Sequence, residues 1–396
     1  MDKSLSDKVI SLTSRHFRGA VGLRRALHRI PETAWTEFKT SALLRRELKR
    51  LRIPFRSIAG TGILAEIRNG RGRCVAIRTD IDGLPITEQT DYSFKSLHAG
   101  RMHACGHDMH MATVTTTAAV LMQLRREYRG IIKLIYQPAE ESPPGGAQAL
   151  VREGVLENPK VDMIFGLHVD PHRRAGRVGI RPGTMCAGTL DFDITIRGTG
   201  GHGAYPHLTH DPIAAAAQVI AGLQTIVARE VSPFEPAVVT VGKIESGTAR
   251  NVIPDICRVE GTARSLTEKH LRFLARRIEA ITVKTCRAHN CVADLTFTWG
   301  YPPLVNADET NRVLRAAAQS LYGASILSPV RTPSMGGEDF AHYVNAVPGA
   351  KFWLGVRNEA IGATYGLHHP SFKADETAMK TGISVLAKAA LDVLNA

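Results

Sequence analysis

CVAIRTD, residues 74–80, is the stretch from which the fold can be worked out. It is a short apolar run that ends in an acid, which is typical of a buried strand. Four similar runs lie along the chain: GILAEI (62–67), IIKLIYQ (131–137), VDMIFGLHV (161–169) and KFWLGV (351–356). A helical segment, residues 111–128, separates two of them. Strands that alternate with helices predict an α/β fold with a mainly parallel sheet.

Acids and histidines follow three of these predicted strands. Asp80 and Asp82 follow the first, Glu140 and Glu141 follow IIKLIYQ, and His168 ends the third. Ligands of open α/β sheets bind beyond the carboxyl ends of the strands. The sequence therefore predicts a site at this edge of the sheet.

The pattern changes near residue 186, where the strands become half-polar. DFDITIR (191–197) alternates strictly, so one face of its sheet is solvated or meets a partner. The elements that follow are a helix (212–230), two strands (237–246 and 256–265), a helix (267–286) and a strand (292–299). This β-α-β-β-α-β order is the ferredoxin-like unit. We predict that residues 186–298 form a separate α+β domain, inserted into an α/β domain made of residues 1–185 and 299–396.

The composition is that of an ordinary globular protein, with 44% hydrophobic and 22% charged residues. The net charge of +13 comes from Lys and Arg scattered along predicted helices, without interleaved aromatic residues. This distribution favours small anionic substrates over nucleic acid. No uninterrupted apolar run approaches ~20 residues, so no membrane span is expected. The N-terminus lacks the apolar core of a signal peptide, and the six cysteines form no CxxC pair, so we expect a cytoplasmic protein with free thiols.

The stretch RMHACGHDMHMA, residues 101–112, is the densest cluster of reactive side chains. Cys105 and His107 can converge from a loop that turns at Gly106, as metal ligands or as a nucleophile with its base. A structural zinc site needs two more ligands nearby, and the local sequence has no CxxC pair to supply them. Ligands from distant strand ends would instead build a catalytic site. Crowding of polar residues in a loop is the third alternative.

Two further signals have ordinary explanations when each is taken alone. The adjacent Glu140 and Glu141 can divide into a metal ligand and a general base, but an isolated pair of this kind is commonly a solvated acidic turn. His168, and the pair His368 and His369 in YGLHHPSF, are also compatible with histidines satisfied within the core.

Seven ordered motifs resemble those of the M20 metallopeptidase family: HACGHDMH, QPAEE, GLHV, GGHGAYPH, NVIP, GGEDF and LHHP. The subfamily is that of bacterial aminoacylases, hippurate hydrolases and plant auxin-conjugate amidohydrolases. The resemblance runs from TDIDGLP (79–85) to LHHPSF (367–372).

The resemblance implies a site with two divalent metal ions. It assigns five metal ligands, namely Cys105, His107, Glu141, His168 and His368, with Glu140 as the base that activates water. His368 is preferred over His369 because the family motif is LH, a variable residue and Pro. Asp108 is a candidate partner of a ligand. A thiolate with imidazoles and one carboxylate favours Zn²⁺, with Mn²⁺, Co²⁺ or Ni²⁺ as alternatives.

The resemblance also makes the inserted domain a lid and dimerisation domain. His202 is similar to a histidine that stabilises the oxyanion in a neighbouring subunit's site, and Asn251 to a residue that contacts substrate. A homodimer is therefore expected.

The implied activity is metal-dependent hydrolysis of the amide bond of N-acyl amino acids, such as hippurate-like or N-acetyl substrates. A dipeptidase or carboxypeptidase on the same fold is the alternative within the enzymes. A hydrolase with Cys105 as nucleophile is disfavoured because His107, two residues away, is poorly placed as its base. A non-catalytic binding protein would have no need of Glu140.

Overall fold

The computed structural model describes residues 3–396, which divide into two compact units. The first unit comprises the chain up to Met185 with Val305–Thr332 and Asp339–Ala396. The second unit comprises Cys186–Leu304 and Pro333–Glu338. The return of residues 333–338 to the second unit differs from the predicted domain boundaries. Met1 and Asp2, where the predicted first domain begins, lie outside the described residues.

The described residues form nine α-helices and fifteen strands. The α-helices are α1 (Lys3–His28), α2 (Phe38–Arg50), α3 (His107–Gln123), α4 (Gly146–Arg152), α5 (Pro212–Thr225), α6 (Glu268–Ala288), α7 (Asp308–Tyr322), α8 (Ala341–Val344) and α9 (Met379–Leu394). The strands are β1 (Phe55–Ile58), β2 (Gly62–Asn69), β3 (Cys74–Asp80), β4 (Gly130–Gln137), β5 (Met163–Arg174), β6 (Val178–Gly179), β7 (Gly183–Cys186), β8 (Gly188–Arg197), β9 (Gly201–His202), β10 (Ala237–Ser246), β11 (Val252–Ile253), β12 (Ile256–Ser265), β13 (Val292–Trp299), β14 (Leu304–Asn306) and β15 (Gly349–Arg357).

The first unit is built on a seven-stranded sheet with the order β1-β2-β4-β3-β5-β15-β6. Its four central strands, β4, β3, β5 and β15, run parallel to one another. The flanking pairs β1–β2, β2–β4 and β15–β6 are antiparallel. The mainly parallel α/β sheet is therefore confirmed at its centre, and β3 has the predicted bounds. GILAEI lies in an antiparallel flank because β2 pairs with β4 in the opposite direction.

Helix α3 lies inside the first unit, and fifteen of its seventeen residues are buried. It packs against α1, α9 and β3. A helix that is surrounded on all sides needs apolar or small residues on every face, which explains the run MATVTTTAAVL. Its N-terminus, which carries HDMH, is consequently fixed at the edge of the sheet.

The second unit has a four-stranded antiparallel sheet with the order β10-β12-β8-β13. Phe192, Ile194 and Ile196 of β8 are buried, while Asp191 and Asp193, which alternate with them, are exposed. Helices α5 and α6 pack on the sheet and on each other. The predicted ferredoxin-like order and the predicted alternation are both confirmed.

One described helical segment, Pro212–Glu230, is long and apolar enough to cross a membrane by length and composition. No such segment is expected from the sequence. One side of it packs in the core of the second unit, through Ala215, Ala216, Val219 and Leu223. The other side is exposed and carries both apolar and polar residues.

Candidate metal centre

Three strand ends of the first unit carry the predicted polar residues. β3 ends at Asp80, and β4 ends at Gln137, three residues before Glu140. His168 lies within β5, beyond Gly166, the last residue that pairs with β3. The prediction that His168 ends its strand is wrong, since β5 continues to Arg174. In the register of this parallel pair His168 nevertheless lies level with Asp80, at the carboxyl end of β3, as the predicted site requires.

Gly106 makes the turn that lets Cys105 and His107 converge. Its φ is +81°, and it lies immediately before α3. A Cβ atom at Gly106 would lie 2.5 Å from Val169 Cγ2. Both the left-handed backbone and the close approach favour glycine here. The ligand atoms of Cys105, His107 and His168 consequently lie within 4.8 Å of one another.

Cys105 belongs to two groups of possible metal ligands. One group joins Cys105 to His107 and His168, and the other joins it to Glu141 and His368. A carboxylate oxygen of Glu140 likewise lies within 4.8 Å of the ligand atoms of His107 and Glu141. The structure thus brings together all six first-unit residues to which the sequence gives a metal or catalytic role. Two such groups fit the two divalent metal ions that the family resemblance implies.

Backbone carbonyls fix the orientation of two of the imidazoles. The Nδ1 of His107 donates to the carbonyl of Asp82 over 2.8 Å, and that of His168 donates to the carbonyl of Val169 over 2.8 Å. Each Nε2 is therefore the nitrogen left to coordinate a metal. The Nε2 of His107 is buried without a hydrogen-bond partner among the described residues, and the Nε2 of His168 is 3.4 Å from Cys105 Sγ.

Several carboxylates surround Cys105 and His107 and favour a positive charge at this centre. Burial and the nearby carboxylates of Glu141 and Glu140 raise the pKa of Cys105 well above its usual range. Burial opposes charging of His107, but Asp80, Asp82 and Glu141 outweigh it and raise the pKa of that imidazole. The carboxylates make this centre negative, and both Cys105 and His107 keep a proton there. A divalent metal that binds these two residues would displace those protons. The residues present therefore fit a metal.

The two adjacent histidines at the C-terminal motif point to different partners. His368 has a φ of +61°, and its Nε2 lies 3.1 Å from Glu141 Oε1. His369 stacks on Tyr365 at a ring distance of 4.3 Å, and its Nδ1 accepts the amide of Ser371. The geometry favours His368 as the ligand, in agreement with the preference taken from the family motif.

Asp80, His110 and Arg78 form a hydrogen-bonded network beside the predicted ligands. The sequence assigns these three residues no role. The amide of Val169 donates to His110 Nε2 over 3.0 Å, so His110 Nδ1 must carry the hydrogen that bonds Asp80 Oδ1 over 2.7 Å. Both nitrogens of His110 are engaged, although this histidine lies within 4.8 Å of His107 and Asp80. Burial opposes ionisation of Asp80, but His107, His110 and Arg78 outweigh it and hold the pKa of Asp80 well below its usual range.

Asp108 faces away from the predicted ligands. Its Oδ2 accepts bonds from Arg24 Nε over 2.7 Å and from His28 Nδ1 over 2.8 Å. Both partners belong to α1, so this buried group ties α1 to α3. Asp108 bonds none of the predicted ligands, contrary to the prediction that it is a partner of one. The carbonyl of Asp82 orients His107 instead. Removal of one partner of a buried ion pair typically costs about 3–5 kcal/mol of stability.

The second unit holds the two remaining predicted residues on a small ribbon. His202 of β9 pairs with Val252 of β11, and the amide of Gly203 donates to the carbonyl of Asn251 over 2.8 Å. Both His202 and Asn251 are exposed. The structure thus places the two side by side, and their roles stay predictions.

Comparisons with known proteins give consistent results. The family model for peptidase family M20/M25/M40 matches residues 76–392. The chain is 38% identical to an N-acetyldiaminopimelate deacetylase of Priestia megaterium, over 93% of this chain and 96% of the relative. It is 37% identical to the IAA-amino acid hydrolase ILR1-like 4 of Arabidopsis thaliana, over 98% of this chain and 88% of the relative.

A solved structure extends the likeness to the fold. It is that of the Bacillus subtilis YXEP protein, described as a dinuclear metal binding peptidase from the M20 family. The TM-score is 0.83 and the sequence identity is 33%, over 96% of this chain and 99% of that one.

Proposed function

The chain belongs to peptidase family M20/M25/M40, and on that premise we propose that it hydrolyses the amide bond between an acyl group and the nitrogen of an amino acid. The named relatives act on such compounds: N-acetyldiaminopimelate, N-acetyl-L-cysteine and amino-acid conjugates of IAA. The observation that carries the proposal is the pair of ligand groups sharing Cys105, with Glu140 beside them.

Cys105, His107, Glu141, His168 and His368 would hold two divalent metal ions. When bound, the ions act as Lewis acids toward the amide carbonyl and the attacking water. Zn²⁺ suits this mixture of thiolate, imidazole and carboxylate best, and Mn²⁺, Co²⁺ and Ni²⁺ are the alternatives for the test. The position of Cys105 in two groups of possible ligands, one with His107 and His168 and the other with Glu141 and His368, supports a ligand over a free nucleophile.

Glu140 is the general base of the reaction. It is 6% exposed and follows β4 on the loop that also carries Glu141. Its carboxylate takes a proton from the attacking water and then gives that proton to the leaving amine nitrogen. The products are a carboxylic acid and a free amino acid. A net charge of +13 favours approach of a substrate that carries a free carboxylate.

The catalytic assembly is a homodimer in which His202 serves the neighbouring subunit. His202 donates a hydrogen bond to the oxyanion that forms from the carbonyl, and Asn251 contacts the substrate. Two features of the second unit support a dimer. β10 is an edge strand of its sheet, with Ile244 exposed, and α5 exposes Ile213 and Ala217 on the side away from its own core. An open edge and an apolar face are surfaces that pairing would cover.

We place the protein in the cytoplasm. All six cysteines are free and buried in the structure, as expected of a chain that keeps its thiols reduced.

A substrate screen with metal reconstitution tests the proposal. The chelated protein is assayed with N-acetyl, N-benzoyl and longer N-acyl amino acids, before and after addition of each of the four metals. We expect activity on at least one N-acyl amino acid only after metal addition, with Glu140→Gln as the blank. Turnover that survives complete removal of metal would overturn the mechanism, and cleavage confined to dipeptides would favour the dipeptidase alternative.

A further inference from the structure

The segment between α1 and α2 contains two buried carboxylates that the proposed mechanism does not use. Glu32 is 6% exposed and Glu37 is fully buried. Buried carboxylates are costly unless hydrogen bonds satisfy them. Their partners therefore indicate what each one does.

Glu37 connects this segment to the loop that carries Glu140. Its Oε1 accepts the amide of Ala139 over 2.9 Å and the amide of Trp35 over 3.0 Å. Its Oε2 accepts the hydroxyl of Thr61 over 2.6 Å. Three donors from three parts of the chain thus meet on one carboxylate. Ala139 is the residue immediately before Glu140.

The loop that Glu37 holds has an unfavourable backbone. Ala139 has a φ of +55°, in a left-handed region that residues other than glycine rarely adopt. The amide of Gly146 donates to the carbonyl of Ala139 over 3.1 Å. A Cβ atom on Gly146 would lie 1.9 Å from the carbonyl oxygen of Pro138, so the loop closes tightly on itself. Such a conformation persists only where its surroundings fix it.

A second buried carboxylate holds the other side of Glu140. The amide of Glu141 donates to Asp82 Oδ2 over 3.0 Å. The amides before and after Glu140 are therefore each held by an acidic side chain from elsewhere in the first unit. The backbone of Glu140 is fixed at both ends.

We propose that Glu37 is a positioning residue for Glu140, because its bond to the Ala139 amide keeps this loop in the conformation that places the base. The inference rests on the proposed function of Glu140. Without the acceptor, the buried Ala139 amide would be unsatisfied and the peptide would turn toward a more favourable φ. A shift of about 1 Å in a catalytic group can cost about a hundredfold in rate.

Substitutions that keep or remove the acceptor test the proposal. Glu37→Met has a similar size and no acceptor, whereas Glu37→Gln keeps an oxygen for both amides. We expect Glu37→Met to lower kcat about 10- to 100-fold, with metal content unchanged and KM within about twofold, and Glu37→Gln to stay within about threefold of wild type. If Glu37→Met does not fold, Glu37→Asp withdraws the acceptor by one methylene and should lower kcat in the same direction.

Glu32→Met is the matched control. Glu32 lies in the same segment, and its side chain accepts bonds from the amide and hydroxyl of Thr40 rather than from the loop. It should lose stability without the selective loss of kcat. Hydrogen exchange of the metal-free proteins gives a readout apart from activity: residues 138–146 should exchange faster in Glu37→Met, and not in Glu37→Gln or Glu32→Met.

Two results would overturn the proposal. One is a Glu37→Met protein with unchanged kcat and unchanged exchange of the loop. The other is an equal loss of kcat in Glu32→Met, which would make the effect general destabilisation. A failure of the proposed function is distinct, since then the wild-type protein would lack N-acyl amino acid hydrolysis or Glu140→Gln would retain it.

Discussion

The first unit buries most of its candidate catalytic and ligand residues, whereas the second unit exposes its own to solvent. Cys105, His107 and His168 are each at most 6% exposed, while His202 and Asn251 are exposed. Backbone carbonyls hold His107 and His168, but the His202 ring accepts a local bond from the amide of Ala204. The metal centre is therefore preorganised within one chain. The oxyanion group is proposed to act only when a second chain brings it to a substrate.

The contrast has a physical reason. A metal ligand must have its lone pair correctly aimed before the ion arrives, so the fold fixes it through neighbouring donors and acceptors. A group that contacts a transition state across a subunit interface must remain accessible until the partner docks. The candidate ligands of the first unit accordingly have long-range contacts, and the proposed role of His202 requires the exposure that this residue has on its short ribbon.

The strongest test of this contrast is His202→Ala. We expect normal metal content with turnover lower by roughly 10²–10³-fold, the usual effect of removing one oxyanion donor. Metal analysis and kcat on the same preparation check this. A variant that loses its metal would show that His202 supports the centre itself.

Mixing inactive variants extends the same test to the subunit interface. Under conditions that exchange subunits, His202→Ala mixed with Glu140→Gln should recover up to about a quarter of wild-type sites, because half of the dimers are mixed and each has one intact site of two. Absence of recovery, despite demonstrated exchange, would mean that His202 serves its own chain or has no role in the chemistry.

A smaller effect separates the two adjacent histidines of the first unit. His368→Ala should bind metal roughly tenfold more weakly or worse, because its Nε2 lies 3.1 Å from Glu141 in the second ligand group. His369→Ala should keep its metal and stay within about threefold of wild-type kcat, since it loses the stack on Tyr365 and the hydrogen bond from the Ser371 amide but no candidate ligand. Metal titration of both variants decides, and the reverse outcome would make His369 the ligand.

Much of the fold could be predicted because its signals are local. The strand CVAIRTD has the bounds that its sequence predicts, and the alternation in β8 matches its buried and exposed faces. The antiparallel β2 could not be distinguished from a parallel strand, since a buried strand has the same apolar run in either direction. The return of residues 333–338 to the second unit also leaves no periodic signal.

The candidate site could likewise be predicted only in part. The residue types near Cys105 and Glu140 draw attention on their own, but their grouping comes from the family resemblance. The supporting contacts were missed: Glu37 meets Ala139 across about a hundred residues of sequence, and Asp82 holds His107 through a backbone carbonyl that side-chain identity does not reveal. Such contacts depend on the tertiary structure. The acids at the end of β3 indicate only the edge of the sheet at which the site lies.

The division of roles between the two adjacent glutamates tests the central claim most directly. Metal content and kcat are measured side by side for Glu140→Gln and Glu141→Gln. We predict that Glu140→Gln keeps its full metal content and loses about 10²–10⁴-fold in turnover, as expected for loss of a general base. Glu141→Gln should instead contain less metal. Two variants that are equally loaded with metal and equally slow would contradict the account.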